Sequence, residues 1–262
     1  MTTRGVRWYL ILSFGLFWGW ILTMWATGVS LTNPLAQLPG GFAPAIAAFV
    51  VRRYVTREGF ADARLRLRWR AAWRYYVLAW LAPIGVLAVT VVLAVLFAGY
   101  RPSGLGVVAP FVLIALVVPP IFFGEEFGWR SYLQQRIVAR PTVAVLVTGL
   151  IWGVWHWPLA FTGYADYDNL PLGLATWTVH TLLIGILLGW LFVRSGSVWV
   201  TCLAHGCSNL VGGVGAELLL VDDGGMSRAA VDGLSLVPLL ALAAVVLGTR
   251  QFERVPVAAA RE

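Results

Sequence analysis

The chain has 262 residues, 60% of them apolar and 12% charged, with fourteen tryptophans and a net charge of +7. Soluble domains average about 45–50% apolar and about 25% charged, so the composition excludes a soluble globular protein and requires lipid to cover the excess apolar surface. All nineteen basic residues are arginine and lie between apolar segments, which points to a membrane surface, not to nucleic acid.

The expected fold is therefore all-α: a polytopic transmembrane helix bundle forming one domain, 1–262. Interfacial indoles fit that picture. A spanning helix needs about 20 mostly apolar residues. Eight segments qualify, roughly 8–30, 38–55, 73–98, 105–124, 142–161, 171–193, 197–220 and 233–249. The first is too long for a signal-peptide core and lacks a clear cleavage site, so it is expected to be retained. The second is the weakest, because Pro39, Gly40, Gly41 and Pro44 crowd its start.

A basic cytoplasmic loop of about 52–74 follows. In it Arg64, Arg66, Arg68 and Arg70 alternate with Leu65, Leu67 and Trp69. Either the segment lies on the membrane, with arginines on anionic headgroups and Leu and Trp dipping inward, or it is a plain topology signal.

The motif-bearing core, 105–220, starts with the fourth span. This span runs through Pro119 and Pro120 into Gly124-Glu125-Glu126-Phe127-Gly128-Trp129-Arg130. Ionisable groups inside a membrane are costly and count as functional candidates. Glu126 and Arg130 are one helical turn apart, a natural ion pair. That leaves Glu125, on another face, as the candidate general base. The competing reading solvates both glutamates in a cytoplasmic loop, and the helical pattern continuing through Tyr132, Leu133 and Ile137 weighs against it.

The fifth span carries Trp152-Gly153-Val154-Trp155-His156-Trp157-Pro158. His156 lies among indoles, and Pro158 is expected to end or kink the helix just beyond it. The seventh span carries His205 and Asn209, four apart, both able to donate toward one point. Interhelical hydrogen-bonding glue is the alternative. His180 has no comparable companion and reads as structural. Cys202 and Cys207 form no disulfide or zinc pattern and read as small packing residues.

Arginine distribution sets the orientation. Counting connections from the N-terminus, seventeen of the nineteen fall on one side, leaving Arg101 and Arg228 on the other with Asp166, Asp168, Asp222, Asp223 and Asp232. The positive-inside rule then predicts two cytoplasmic termini.

At these residues the chain resembles the membrane proteases of the CAAX-processing and bacteriocin-processing (Abi) family. That family is recognised by Glu-Glu-x-x-x-Arg, Phe-x-x-x-His and His-x-x-x-Asn (or Asp) motifs on separate helices in that order. Here they read Glu125-Glu126-x-x-x-Arg130, Trp152-x-x-x-His156 and His205-x-x-x-Asn209. Trp152 stands where the family usually has Phe, a change expected to reshape packing without removing chemistry.

The resemblance implies an intramembrane endopeptidase of the cell membrane. Glu125 would be the base acting on a water that His156 helps hold. His205 and Asn209 would stabilise the oxyanion, with Glu126, Arg130 and Trp152 as support. Its partners would be membrane lipids and a peptide or membrane-protein substrate, prenylated or not. The oligomeric state is not legible. Zinc is the one cofactor left open: Glu125, His156 and His205 could bind it and leave a position for water, whereas Asn209 is a poor zinc ligand and a good oxyanion donor. Metal is expected to be non-essential. Two other readings are a non-proteolytic immunity or scaffold protein of the same fold, and a proton-coupled carrier. The carrier has no inverted repeat to support it.

Overall fold

A computed structural model describes residues 3–101, 104–137, 140–165, 167 and 169–253. Asp166, Asp168, Arg254 and Arg261, which entered the charge count, lie outside the described residues. Among the described residues every regular element is helical. The polytopic all-α expectation therefore holds. Six helices are long and apolar enough to cross a membrane, or seven if one bent pair counts as a span, against the eight expected.

The helices are α1 (Thr3–Ala26), α2 (Pro34–Gly41), α3 (Ala43–Val50), α4 (Trp69–Phe97), α5 (Ala109–Ile114), α6 (Pro119–Gly128), α7 (Pro141–Trp155), α8 (Leu170–Ser195), α9 (Val198–Cys207) and α10 (Arg228–Gly248). The chain divides into two compact units. Unit 1 is Met1–Arg66 with Ile121–Gly185, and unit 2 is Leu67–Pro120 with Ile186–Glu262.

Several expected boundaries move, each for a local reason. The second span begins at Pro34, not 38, because Asn33 caps α2 by accepting the Leu35 amide at 3.0 Å, a favourable start for a helix. It reaches Val55 as three helical pieces. The basic loop is correspondingly shorter: only 56–68 is non-helical, since Arg52 and Arg53 end one helix and Trp69 to Arg74 begin α4. The expected continuous span 105–124 is broken ahead of Pro119 and Pro120. Proline lacks an N–H and disfavours a helical residue before it, so α6 starts afresh and Glu125 falls inside a short new helix. The segment 197–220 is helical from Val198, but it is not among the helices apolar enough to span. His205, Ser208, Asn209 and its glycines dilute its hydropathy.

In unit 1 the first span is locked to α7 by two indoles. Trp18 Nε1 donates to the Trp155 carbonyl (3.0 Å), and Trp155 Nε1 donates to the Ser13 carbonyl (3.1 Å). Phe17 stacks on Trp155 at 3.6 Å between ring centroids. Two glycine pairs then allow backbones to touch. A Cβ at Gly124 would lie 2.5 Å from the Gly41 carbonyl oxygen and 2.8 Å from Phe42 Cα, and one at Gly128 would run into Pro44. The Gly124–Gly128 face of α6 thus seats directly on the α2–α3 corner. On α7, Cβ atoms at Gly149 and Gly153 would lie 3.3 Å from Leu182 Cα and 3.1 Å from Thr178 Cα of α8. Small residues four apart permit this close approach where lipid supplies no hydrophobic drive between helices.

In unit 2, α4 packs against α9 and α10. Trp80 Nε1 donates to the Val112 carbonyl (2.9 Å), and Tyr100 Oη donates to the Leu219 carbonyl (3.2 Å). Cys202 and Cys207 are free and fully buried, Cys207 in the cluster with Leu87, Val211 and Leu220. They are packing residues, as expected.

Candidate active site

Glu125 and Glu126 are neighbours on α6 with different surroundings. Glu126 is fully buried and accepts from Arg130 Nη1 at 2.9 Å, the turn-spaced pair expected from sequence. Arg130 is itself buried, and its guanidinium lies 4.2 Å from the centroid of the Trp152 ring. Gly185 of α8 lies against Gly149 of α7, where a Cβ would come 3.2 Å from the Gly149 Cα.

Glu125 retains 14% side-chain exposure and accepts from Trp152 Nε1 at 2.7 Å. His156 Nε2 lies 3.9 Å from the same carboxylate oxygen, Oε2. That separation is too long for a direct hydrogen bond. The histidine is positioned by the end of α7, where the helix stops at Trp155 and a 3₁₀ turn, Trp157–Phe161, takes over at Pro158. His156 Nδ1 bonds the Trp152 carbonyl at 2.8 Å. A carbonyl only accepts, so Nδ1 carries a proton, and Nε2 is the ring nitrogen that lies toward Glu125. Phe17, Trp155 and Trp177 rings surround the imidazole with centroids at 6.3, 4.8 and 5.9 Å, making an aromatic box around one polar pair.

Glu125, Trp152 and His156 are thus brought together in unit 1, with Glu126 and Arg130 behind them. His205 and Asn209 belong to unit 2. His205 is buried near the end of α9, whereas Asn209, one turn on, is exposed. The chain passes from α-helical to π-helical winding at Ser208, between the two.

Sequence reasoning missed two supports. One is the Trp152 N–H: the Trp-for-Phe exchange supplies a donor bound to Glu125 and does more than reshape packing. The other is a polar clasp at the end of the motif helix. Arg52, fully buried, donates to Asp62 (2.7 Å), the Gly59 carbonyl (2.8 Å) and the Ser131 carbonyl (2.8 Å). Arg136 pairs with Glu58 and Asp62, both at 2.9 Å. Together with Arg130, these are three arginines that the topology count treated as loop charge. Acidic Glu58 and Asp62 within an arginine-rich stretch were the available signal.

No three His, Cys, Asp or Glu side chains gather into a metal-holding group among the described residues. Of the three donors considered for zinc, Glu125 and His156 lie in unit 1 and His205 in unit 2.

The class defined here is a polytopic helical membrane protein with a carboxylate–imidazole pair in an aromatic box. Residues 105–211 match the family model for type II CAAX prenyl endopeptidase Rce1-like proteins. The matched stretch contains all three motifs. No curated protein matches the chain.

Proposed function

We propose that this protein is an intramembrane endopeptidase that hydrolyses a peptide bond with a glutamate-activated water. The observation that carries the reading is the convergence of the Glu125 carboxylate and His156 Nε2, 3.9 Å apart. In the reactive state Nε2 is unprotonated and both are acceptors, so a water between them gives one O–H to each and keeps an oxygen lone pair for attack. As that oxygen attacks the carbonyl carbon, Glu125 takes the proton. It then passes the proton to the amide nitrogen as the C–N bond breaks. The resemblance of His205-x-x-x-Asn209 to the third family motif supports assigning these two residues as donors to the oxyanion.

No step is routed through a metal. The substrate is a peptide or membrane protein. The reading places the protein in the cell membrane; two cytoplasmic termini follow from the arginine distribution only with the eight spans expected from sequence. The test is comparative proteomics of membrane-protein fragments in cells carrying wild type or Glu125→Gln. The variant should stay in the membrane and lose every cleavage product. Full proteolysis by Glu125→Gln would end the general-base reading. Binding of a peptide by purified wild type with no cutting would favour the immunity or scaffold reading instead.

A further inference from the structure

We infer that Trp152 is a positioning residue that aims the Glu125 carboxyl group, and that Arg130 strengthens this hold through the indole ring. The inference rests on the proposed base role of Glu125 and deepens it. Trp152 Nε1 donates to Glu125 Oε2 at 2.7 Å, a short distance for a charge-assisted bond. Arg130 lies 4.2 Å from the same ring's centroid. A cation on the π-face draws electron density from the indole and so makes its N–H a better donor. Arg130 is anchored from the other side by Glu126. The order Glu126–Arg130–Trp152–Glu125 connects the two glutamates of the motif through a side chain on another helix.

The same residue also fixes the partner of the base. The Trp152 carbonyl accepts from His156 Nδ1 at 2.8 Å and thereby turns Nε2 toward Glu125. One residue thus holds the carboxyl group by its side chain and the imidazole by its backbone. A phenylalanine could do only the second. The charged or titratable groups facing Glu125 within this unit are Glu126 and Arg130 on its own helix, His156 after α7 and Tyr9 on α1. The Trp152 N–H is a neutral donor, so its removal changes none of these charges.

The experiment replaces Trp152 by Phe and, through site-specific incorporation, by 3-benzothienylalanine, which keeps the indole shape and lacks the N–H. Purified full-length protein is followed by infrared spectroscopy at one pH, with the Glu125 band assigned by subtracting the Glu125→Gln spectrum. Cleavage is followed with an internally quenched, farnesylated Cys-a-a-X peptide. Without the indole N–H the Glu125 stretching band should move to the frequency of a group that has lost a hydrogen bond, and kcat should fall about tenfold. KM and the melting temperature should stay.

An unmoved infrared band and an unchanged rate in the benzothienylalanine variant would overturn the inference. An infrared shift together with a wild type that cuts nothing would uphold the Trp152 contact and defeat the proteolytic reading.

Discussion

The guanidinium of Arg130 lies 4.2 Å from the Trp152 ring centroid while its Nη1 holds the fully buried carboxylate of Glu126 at 2.9 Å. Removing one member of a buried pair leaves the other charge unpaired, at a cost of about 3–5 kcal/mol. Arg130→Gln should therefore melt well below wild type in detergent. The double variant Arg130→Gln/Glu126→Gln should recover part of that loss. Arg130→Lys should rescue poorly, because an ammonium lacks the planar fork that stacks on an indole.

His156→Phe keeps an aromatic ring in the box and removes the Nε2 acceptor. Cleavage should fall by about 10²–10⁴-fold, the range of a lost acid–base contribution, with the melting temperature little changed. Wild-type turnover by this variant would remove His156 from the mechanism.

Gly124→Ala places a Cβ 2.5 Å from the Gly41 carbonyl oxygen, a backbone atom that cannot rotate away. Overpacking of this kind costs about 1–3 kcal/mol, and here it also shifts the helix carrying Glu125. Both melting temperature and cleavage should drop. Gly19→Ala, which meets nothing within 4 Å, is the matched control.

The clasp at 56–62 should open in acid. Burial alone would raise the Asp62 carboxyl, but hydrogen bonds and charges from Arg52 and Arg136 outweigh it and hold the group below the usual aspartate range. A lowered folded value contributes stability that is present above the unfolded value of about 3.9 and lost as pH falls through the folded one. Hydrogen exchange of residues 56–63 should be slow at neutral pH and accelerate only below about pH 4. In Asp62→Asn it should be faster at neutral pH, with the acid-side dependence reduced.

Dialysis against a strong zinc chelator should leave cleavage unchanged, since the described residues offer no three-donor group. Activity that is lost on chelation and returns with zinc would require a third ligand and a different mechanism.

The Glu126–Arg130 pair was legible in the sequence because helical spacing alone puts residues four apart in contact. The stop beyond His156 was legible because Pro158 cannot continue a helix. The π-helical winding that begins at Ser208 was not legible, because no side-chain pattern marks such a turn. Trp152 shows another limit. An indole reads as packing until a carboxylate 27 positions away is found 2.7 Å from its nitrogen.

By itself, the sequence determined that this protein lives in lipid, that it is helical, and which polar residues are candidates for chemistry. Apolar content, arginine placement and turn spacing are local quantities, additive along the chain. Only the tertiary structure decided that Glu125 is held by Trp152 and faced by Nε2 of His156. The glycine contacts of α6 and α7 set that juxtaposition, because they fix how closely distant backbones approach. Such distances depend on several helices at once.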